Sequence, residues 1–139
     1  MELPIKIELF VYNKTKKDLK ILLLKRSLED GGFWQPITGT LEFEESIKDC
    51  AIRELREETS IKDIKDFSSE IYRFNWKKKD FTVVELVYAV DTSENDVILS
   101  SEHTSFRWVS TEEAKILLKK KNNKKALEKF CSFIKQEAI

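Results

Sequence analysis

The sequence predicts a mixed α/β (α+β) fold, a largely mixed β-sheet sandwiched between helices, and three features predict it. Segments of two-residue hydrophobic alternation interleave with segments of helical spacing. One strand-like run, Ile21–Leu24, is apolar on both faces and so belongs at the centre of a sheet. No repeat, low-complexity linker or composition break divides the 139 residues, so a single domain over 1–139 is expected.

The elements follow in order. Ile5, Ile7, Leu9 and Val11 alternate with Lys6, Glu8, Phe10 and Tyr12, a strand with one strongly apolar face. Asn13–Asp18 is a polar turn, and Leu19–Arg26 is the second, central strand. Asp30-Gly31-Gly32 reads as a loop. Pro36 biases Gln35 away from helix, so Phe33–Thr38 is a short extended piece. From Glu45 to Thr59 the pattern turns helical, with Ile47, Ala51 and Leu55 forming an inward stripe. Asp66–Trp76 and Phe81–Asp91 read as a strand pair around a turn at Lys77–Asp80, and Thr104–Val109 as a further strand. Ser110-Thr111-Glu112-Glu113 is a capping-box start for a helix to about Lys120. Asn122-Asn123 is expected to interrupt it before a last amphipathic helix from Lys124 to about Gln136.

Composition narrows the function. Lys plus Arg equal Asp plus Glu at 25 each, which argues against a nucleic-acid or membrane-surface protein. Two cysteines, Cys50 and Cys131, make no disulfide framework and have no metal-ligand spacing, so a reduced, cytoplasmic setting is expected. The N-terminal stretch lacks the pattern of a signal peptide, and the longest apolar run is far too short to span a membrane. His103 is the one histidine, and no nucleophile elbow accompanies it.

The chemistry concentrates between Gly39 and Ile61. Glu54, Glu57 and Glu58 lie three and four residues apart on the predicted helix, beside its apolar stripe. Like charges at that spacing repel, more so beside a low-dielectric core. Arg53 can reach Asp49 and Glu57 along its own face but cannot neutralise all three acids. Clustered carboxylate oxygens suit Mg²⁺ or Mn²⁺. The competing reading is a solvated, salt-bridged helix face, the usual meaning of a charge run.

The spacing decides between them. Gly39 is followed after five residues by Glu45, after seven more by Arg53-Glu54-Leu55, then by Glu57-Glu58 and Ile61. This resembles the Nudix box, with every charged position filled. Ser60 stands where the family usually has glycine, and Thr40 and Glu44 where many members do. Serine there should cost about 1 kcal/mol if the turn is left-handed. The loop from Gly39 to Glu45 is expected to be stiffer than usual. Phe33-Trp34-Gln35-Pro36-Ile37-Thr38-Gly39 and Glu102-His103 with Trp108 resemble the dihydroneopterin triphosphate and nucleoside triphosphate pyrophosphatase subgroup, as does the Asn122–Phe130 stretch.

The resemblance implies a Nudix-like mixed sheet between helices and a Mg²⁺-dependent hydrolase. It implies cleavage of dihydroneopterin triphosphate or nucleoside triphosphates to a monophosphate and pyrophosphate, a step within folate biosynthesis in the first case. By the same resemblance Glu54, Glu57, Glu58 and Glu102 hold the ion, and the Gly39 or Thr38 carbonyl can add a ligand. Glu57 or Glu102 is the base, Arg53 orients Glu57, and Glu45 is a structural partner near the helix start. Arg26, Trp34, Thr38 and Gly39 are the expected substrate contacts, with solvation equally open for Arg26 and core packing for Trp34. The partner is a small-molecule triphosphate, and the protein a monomer or homodimer. Two further readings stay open. One is a dinucleoside polyphosphate or RNA 5′-end pyrophosphohydrolase, which the Thr38-Gly39 approach disfavours. The other is a non-catalytic nucleotide-binding module, which the intact acids disfavour.

Overall fold

A computed structural model describes residues 2–137. Eight strands, β1 (Glu2–Lys14), β2 (Leu19–Arg26), β3 (Trp34–Gln35), β4 (Ile37–Glu42), β5 (Asp66–Phe67), β6 (Tyr72–Lys78), β7 (Phe81–Asp91) and β8 (His103–Val109), form one mixed sheet. Helix α1 (Ile47–Thr59) covers one face; α2 (Thr111–Leu117) and α3 (Lys121–Glu137) cover the other.

β1 is the hub. One edge pairs in parallel with β7 from Ile5↔Val84 to Tyr12↔Asp91. The other edge pairs with β4 at Lys6–Leu9, then passes to β2 at Tyr12–Lys14. β2 continues outward to β3 and β8, and β7 to β5 and β6. Because β4 and β2 share one edge of β1, the sheet opens between them.

Alternation sorts the core into two layers. Ile7, Leu9 and Val11 join Leu22 and Leu24 and pack under Cys50, Ala51 and Leu55 of α1. Phe10 and Tyr12 join Ile21 and Leu23 under Ala126, Leu127 and Phe130 of α3, where the Phe10 and Phe130 rings stack at 5.2 Å. The doubly apolar run of β2 thus serves both layers, as a central strand must.

Local chemistry sets the ends of α1. The Ser46 hydroxyl accepts from the Asp49 N–H at 3.1 Å, capping the start. Ser60 ends the helix in the left-handed region, at φ 65°, with its N–H bonded to the Arg56 carbonyl. The turn keeps the shape that glycine favours. Ser60→Gly is therefore expected to raise unfolding stability by about 1 kcal/mol, read by urea denaturation. Glu44 is also left-handed, at φ 68°, although it carries a side chain.

Four boundaries differ from expectation. The stretch expected as a loop from Gly39 is strand as far as Glu42, because the register Thr38↔Glu8, Gly39↔Ile7, Thr40↔Lys6 gives its backbone a ladder. Asp66–Trp76 is two strands: at Ser68 the backbone N–H bonds Ala89 O and the hydroxyl accepts from Ala89 N, which ends β5. Asn122-Asn123 does not interrupt a helix but begins α3, with Asn123 buried; the break lies just before it. α2 stops at Leu117 rather than near Lys120.

Candidate functional site

Three elements converge where β4 passes under α1. Gly39 places its α-carbon against Glu54, so that a Cβ there would stand 2.1 Å from Glu54 Cγ. Only glycine lets the helix carboxylate lie flat on the strand. The Glu54 carboxyl is pushed up to about 7, chiefly by burial and further by Glu57 and Glu58, although Arg53 pulls it down.

Arg53 organises the start of the site. Its Nε and Nη2 donate to both Glu45 oxygens at 2.7 and 2.9 Å. Nη1 donates to Glu54 Oε1 at 2.6 Å, and Nη2 to the Thr40 carbonyl at 3.0 Å. The contact with Glu57 is longer, 3.4 Å. Arg53 is thus chiefly a strut from α1 to the Glu45 turn and β4, with Glu57 and, at 3.8 Å, Glu42 as looser partners. Asp49 instead uses its backbone N–H to complete the helix cap.

The hydrogen bonds from Arg53 hold Glu45 down to about 2, against some desolvation. A depressed folded value means that this contact stabilises the fold above the ordinary 4.5 and is lost as pH falls from there toward about 2. Glu45→Gln should lower the melting temperature at neutral pH and remove part of its fall across that acid window, as thermal melts of both proteins at a series of pH values will show.

The far end of α1 carries a second acidic pair. Ser100 Oγ donates to Glu58 Oε2 at 2.9 Å. His103 Nδ1 lies 2.9 Å from the same oxygen, within ion-pair range but without hydrogen-bond alignment. Burial pushes Glu58 up, but His103, Ser100 and Glu102 together hold it below its ordinary value. Glu102 is raised, first by its hydrogen bond to Glu58 and then by that group's charge.

The four acids do not meet at one point through their side chains alone. Among the described residues no three His, Cys, Asp or Glu groups stand close enough to enclose an ion. Glu54 and Glu58 are buried, while Glu57 is 57% exposed. The donor chemistry nevertheless fits a hard divalent cation. Every candidate donor is an oxygen, and Glu54, lifted chiefly by burial, is lifted further by Glu57 and Glu58, a repulsion that a cation would relieve.

On the α3 side of the sheet lies a cavity of about 540 Å³. Lys6, Thr38, Glu85, Phe74 and Trp76 form its strand wall; Arg26, Phe33 and the start of α3 at Lys121–Asn123 close it. Gln35 joins the two regions: it lines the cavity, and its Nε2 is 3.3 Å from His103 Nε2. Arg26 and Thr38 therefore stand in the cavity wall, and Gly39 beneath Glu54. Trp34 does not line the cavity. It packs toward the α2–α3 layer, with Arg107 and Lys25 about 5.8 and 5.9 Å from its ring. The cavity aromatic is its neighbour Phe33, whose ring lies 3.9 Å from Lys120 Nζ. Phe74 and Trp76 of β6 also form its wall.

The NUDIX domain family matches residues 4–130. A dihydroneopterin triphosphate diphosphatase of Haemophilus influenzae is 31% identical over 130 residues, covering 84% of this chain and 81% of the relative. A mouse asymmetrical bis(5′-nucleosyl)-tetraphosphatase is 32% identical over 122 residues, covering 84% and 81%. The crystal structure of a C. elegans Ap4A hydrolase binary complex superposes with a TM-score of 0.81 at 24% identity, covering 95% of this chain and 98% of that one, a likeness of fold.

Proposed function

The chain belongs to the Nudix family and is a pyrophosphohydrolase acting on phosphorus-containing anhydrides; on that footing we propose that it cleaves dihydroneopterin triphosphate or nucleoside triphosphates, with Mg²⁺ or Mn²⁺, to a monophosphate and pyrophosphate. The observation that carries the reading is the cavity of about 540 Å³, wide enough for one fused heterocycle, which Gln35 and His103 link to Glu58 at the end of α1. The family uses divalent metal ions. Glu54, Glu57, Glu58 and Glu102 would hold the ion, which supplies charge neutralisation for the phosphates and a more acidic water.

The chain's own groups do the rest. Arg26, Lys6, Lys120 and Lys121, which line the cavity, attract the phosphates to it. Thr38 and Gly39 bring backbone against the reacting end, and Arg53 braces α1 so that Glu54 keeps its place. Water adds to one phosphorus of the α–β anhydride as the bridging P–O bond breaks. The water proton passes to Glu57 or Glu102, and pyrophosphate departs.

A second reading is cleavage of dinucleoside polyphosphates, favoured by the identity to the asymmetrical tetraphosphatases. One panel separates the two. Purified protein is incubated with Mg²⁺ and dihydroneopterin triphosphate, each nucleoside triphosphate, diadenosine tetraphosphate and 5′-triphosphate RNA. Pyrophosphate released from the first two classes is expected. Turnover restricted to the last two would overturn the substrate assignment, and nucleotide affinity with no turnover anywhere would leave a binding module.

A further inference from the structure

Two buried acids of the sheet, Glu85 in the cavity wall and Glu8 behind it on the neighbouring strand, are not used by the hydrolytic site. Glu85 of β7 lines the cavity and is 6% exposed. The Trp76 indole N–H donates to its Oε1 at 2.9 Å, which pins the carboxylate in the wall. A carboxylate has about four acceptor positions, and this bond occupies one. Glu8 of β1 stands one strand away on the same sheet face, in register with Val87 and Thr38. It is 0% exposed, and neither of its oxygens has a hydrogen-bond partner among the described residues.

Buried polar groups without partners are rare, and each calls for a cause. Packing does not supply one here. A glutamine or leucine would fill the Glu8 position without bringing a second acid near Glu85, which Glu8 repels. The rest of the cavity defines what would complement the pair. Phe33, Phe74 and Trp76 offer aromatic surface, and Lys6, Arg26, Lys120 and Lys121 line the same cavity, with Lys6 in register with Glu85. A wall carboxylate, aromatic rings and several basic side chains suit a flat ring that carries N–H donors and a chain of phosphates.

We propose that Glu85, backed by Glu8, determines which heterocycle the site accepts, selecting the 2-amino-4-oxopyrimidine edge that guanine and pterins share. That edge presents a ring N–H and an amino group side by side, and a carboxylate accepts both in parallel. Adenine and cytosine place a ring nitrogen lone pair beside their amino group, which repels a carboxylate. Thymine offers a single N–H between two carbonyls. The proposal rests on the hydrolase reading for its placement of the phosphates, but it is tested apart from catalysis.

The test uses phosphate-free probes and no metal. Guanosine, neopterin and adenosine are titrated calorimetrically into the wild-type protein, Glu85→Gln and Glu8→Gln, with thermal melts confirming that each variant is folded. Guanosine or neopterin should bind at least about 10²-fold more tightly than adenosine, because a mismatched edge leaves a buried acceptor unpaired. The two titrations show which ring source is preferred. Glu85→Gln should remove most of that preference, and Glu8→Gln, which keeps the side-chain size, should reduce it. Equal binding of all three probes, no binding of any, or a preference untouched in Glu85→Gln would overturn the proposal. A preference without turnover of any triphosphate sinks the hydrolase reading and leaves this one standing; turnover indifferent to the base does the reverse.

Discussion

Glu57→Gln is expected to lower triphosphate turnover by about 10²–10³-fold, the usual cost of removing one preorganised charge at a reacting centre. Thermal stability should hardly change. Glu57 is the exposed member of the acid group, with one long contact from Arg53 at 3.4 Å, and substitutions at such positions usually stay within about 0.5 kcal/mol of neutral. The two readouts together separate function from folding. Glutamine keeps the shape and a hydrogen-bonding oxygen but removes the negative charge. Steady-state kinetics at saturating Mg²⁺ and a melt of the same preparation suffice, and near-normal turnover would remove Glu57 from the reaction.

Gly39→Ala is the second large effect, and it should strike stability and activity together. The added methyl would stand 2.1 Å from Glu54 Cγ and 2.3 Å from Cδ. These are atoms in the middle of a buried side chain, so the side chain or the whole of α1 must move. Overpacking of this kind costs about 1–3 kcal/mol. The displaced carboxylate also leaves its place, and a shift of about 1 Å in a reacting group costs about 10²-fold in rate. Urea unfolding and turnover measured side by side test both halves. A variant with wild-type stability and rate would show that Glu54 can relocate freely, contrary to its role here.

Much of the scaffold was legible because it depends on local pattern. The alternation of β1, the doubly apolar Ile21–Leu24 run and the Ile47/Ala51/Leu55 stripe each predict the layer that the residues occupy. What was missed depends on pairing between distant segments. Gly39-Thr40-Leu41-Glu42 is strand because β1 lies beside it, a fact that no local propensity carries. The acids on α1 were found from spacing, but their grouping was not. Arg53 turns to Glu45 and Glu54 more than to Glu57 because the chain returns past the helix at the Glu45 turn.

The cavity was the least legible part. Phe33 rather than Trp34 lines it, while Trp34, in register with Lys25, packs against the α2–α3 layer. Glu8 carried a signal that alternation obscured. It sits between Lys6 and Phe10 on what looks like the polar face of an edge strand. Phe10 and Tyr12 on that same face are the sign that both sides of β1 are covered and that Glu8 is interior. Glu85 and Asn123 gave no sign of their own; the topology alone brings them to the cavity. No helix among the described residues is long and apolar enough to cross a membrane.

The central claim is that separate carboxylates on α1 and before β8 share one divalent ion. It is tested most directly by titrating Mn²⁺ into the protein and following free Mn²⁺ by electron paramagnetic resonance, for wild type, Glu54→Gln, Glu57→Gln and Glu102→Gln. The account predicts saturable binding by the wild type, weakened by each substitution and competed by Mg²⁺. Unchanged affinity in all three variants, or no binding by the wild type even with a triphosphate present, would contradict it.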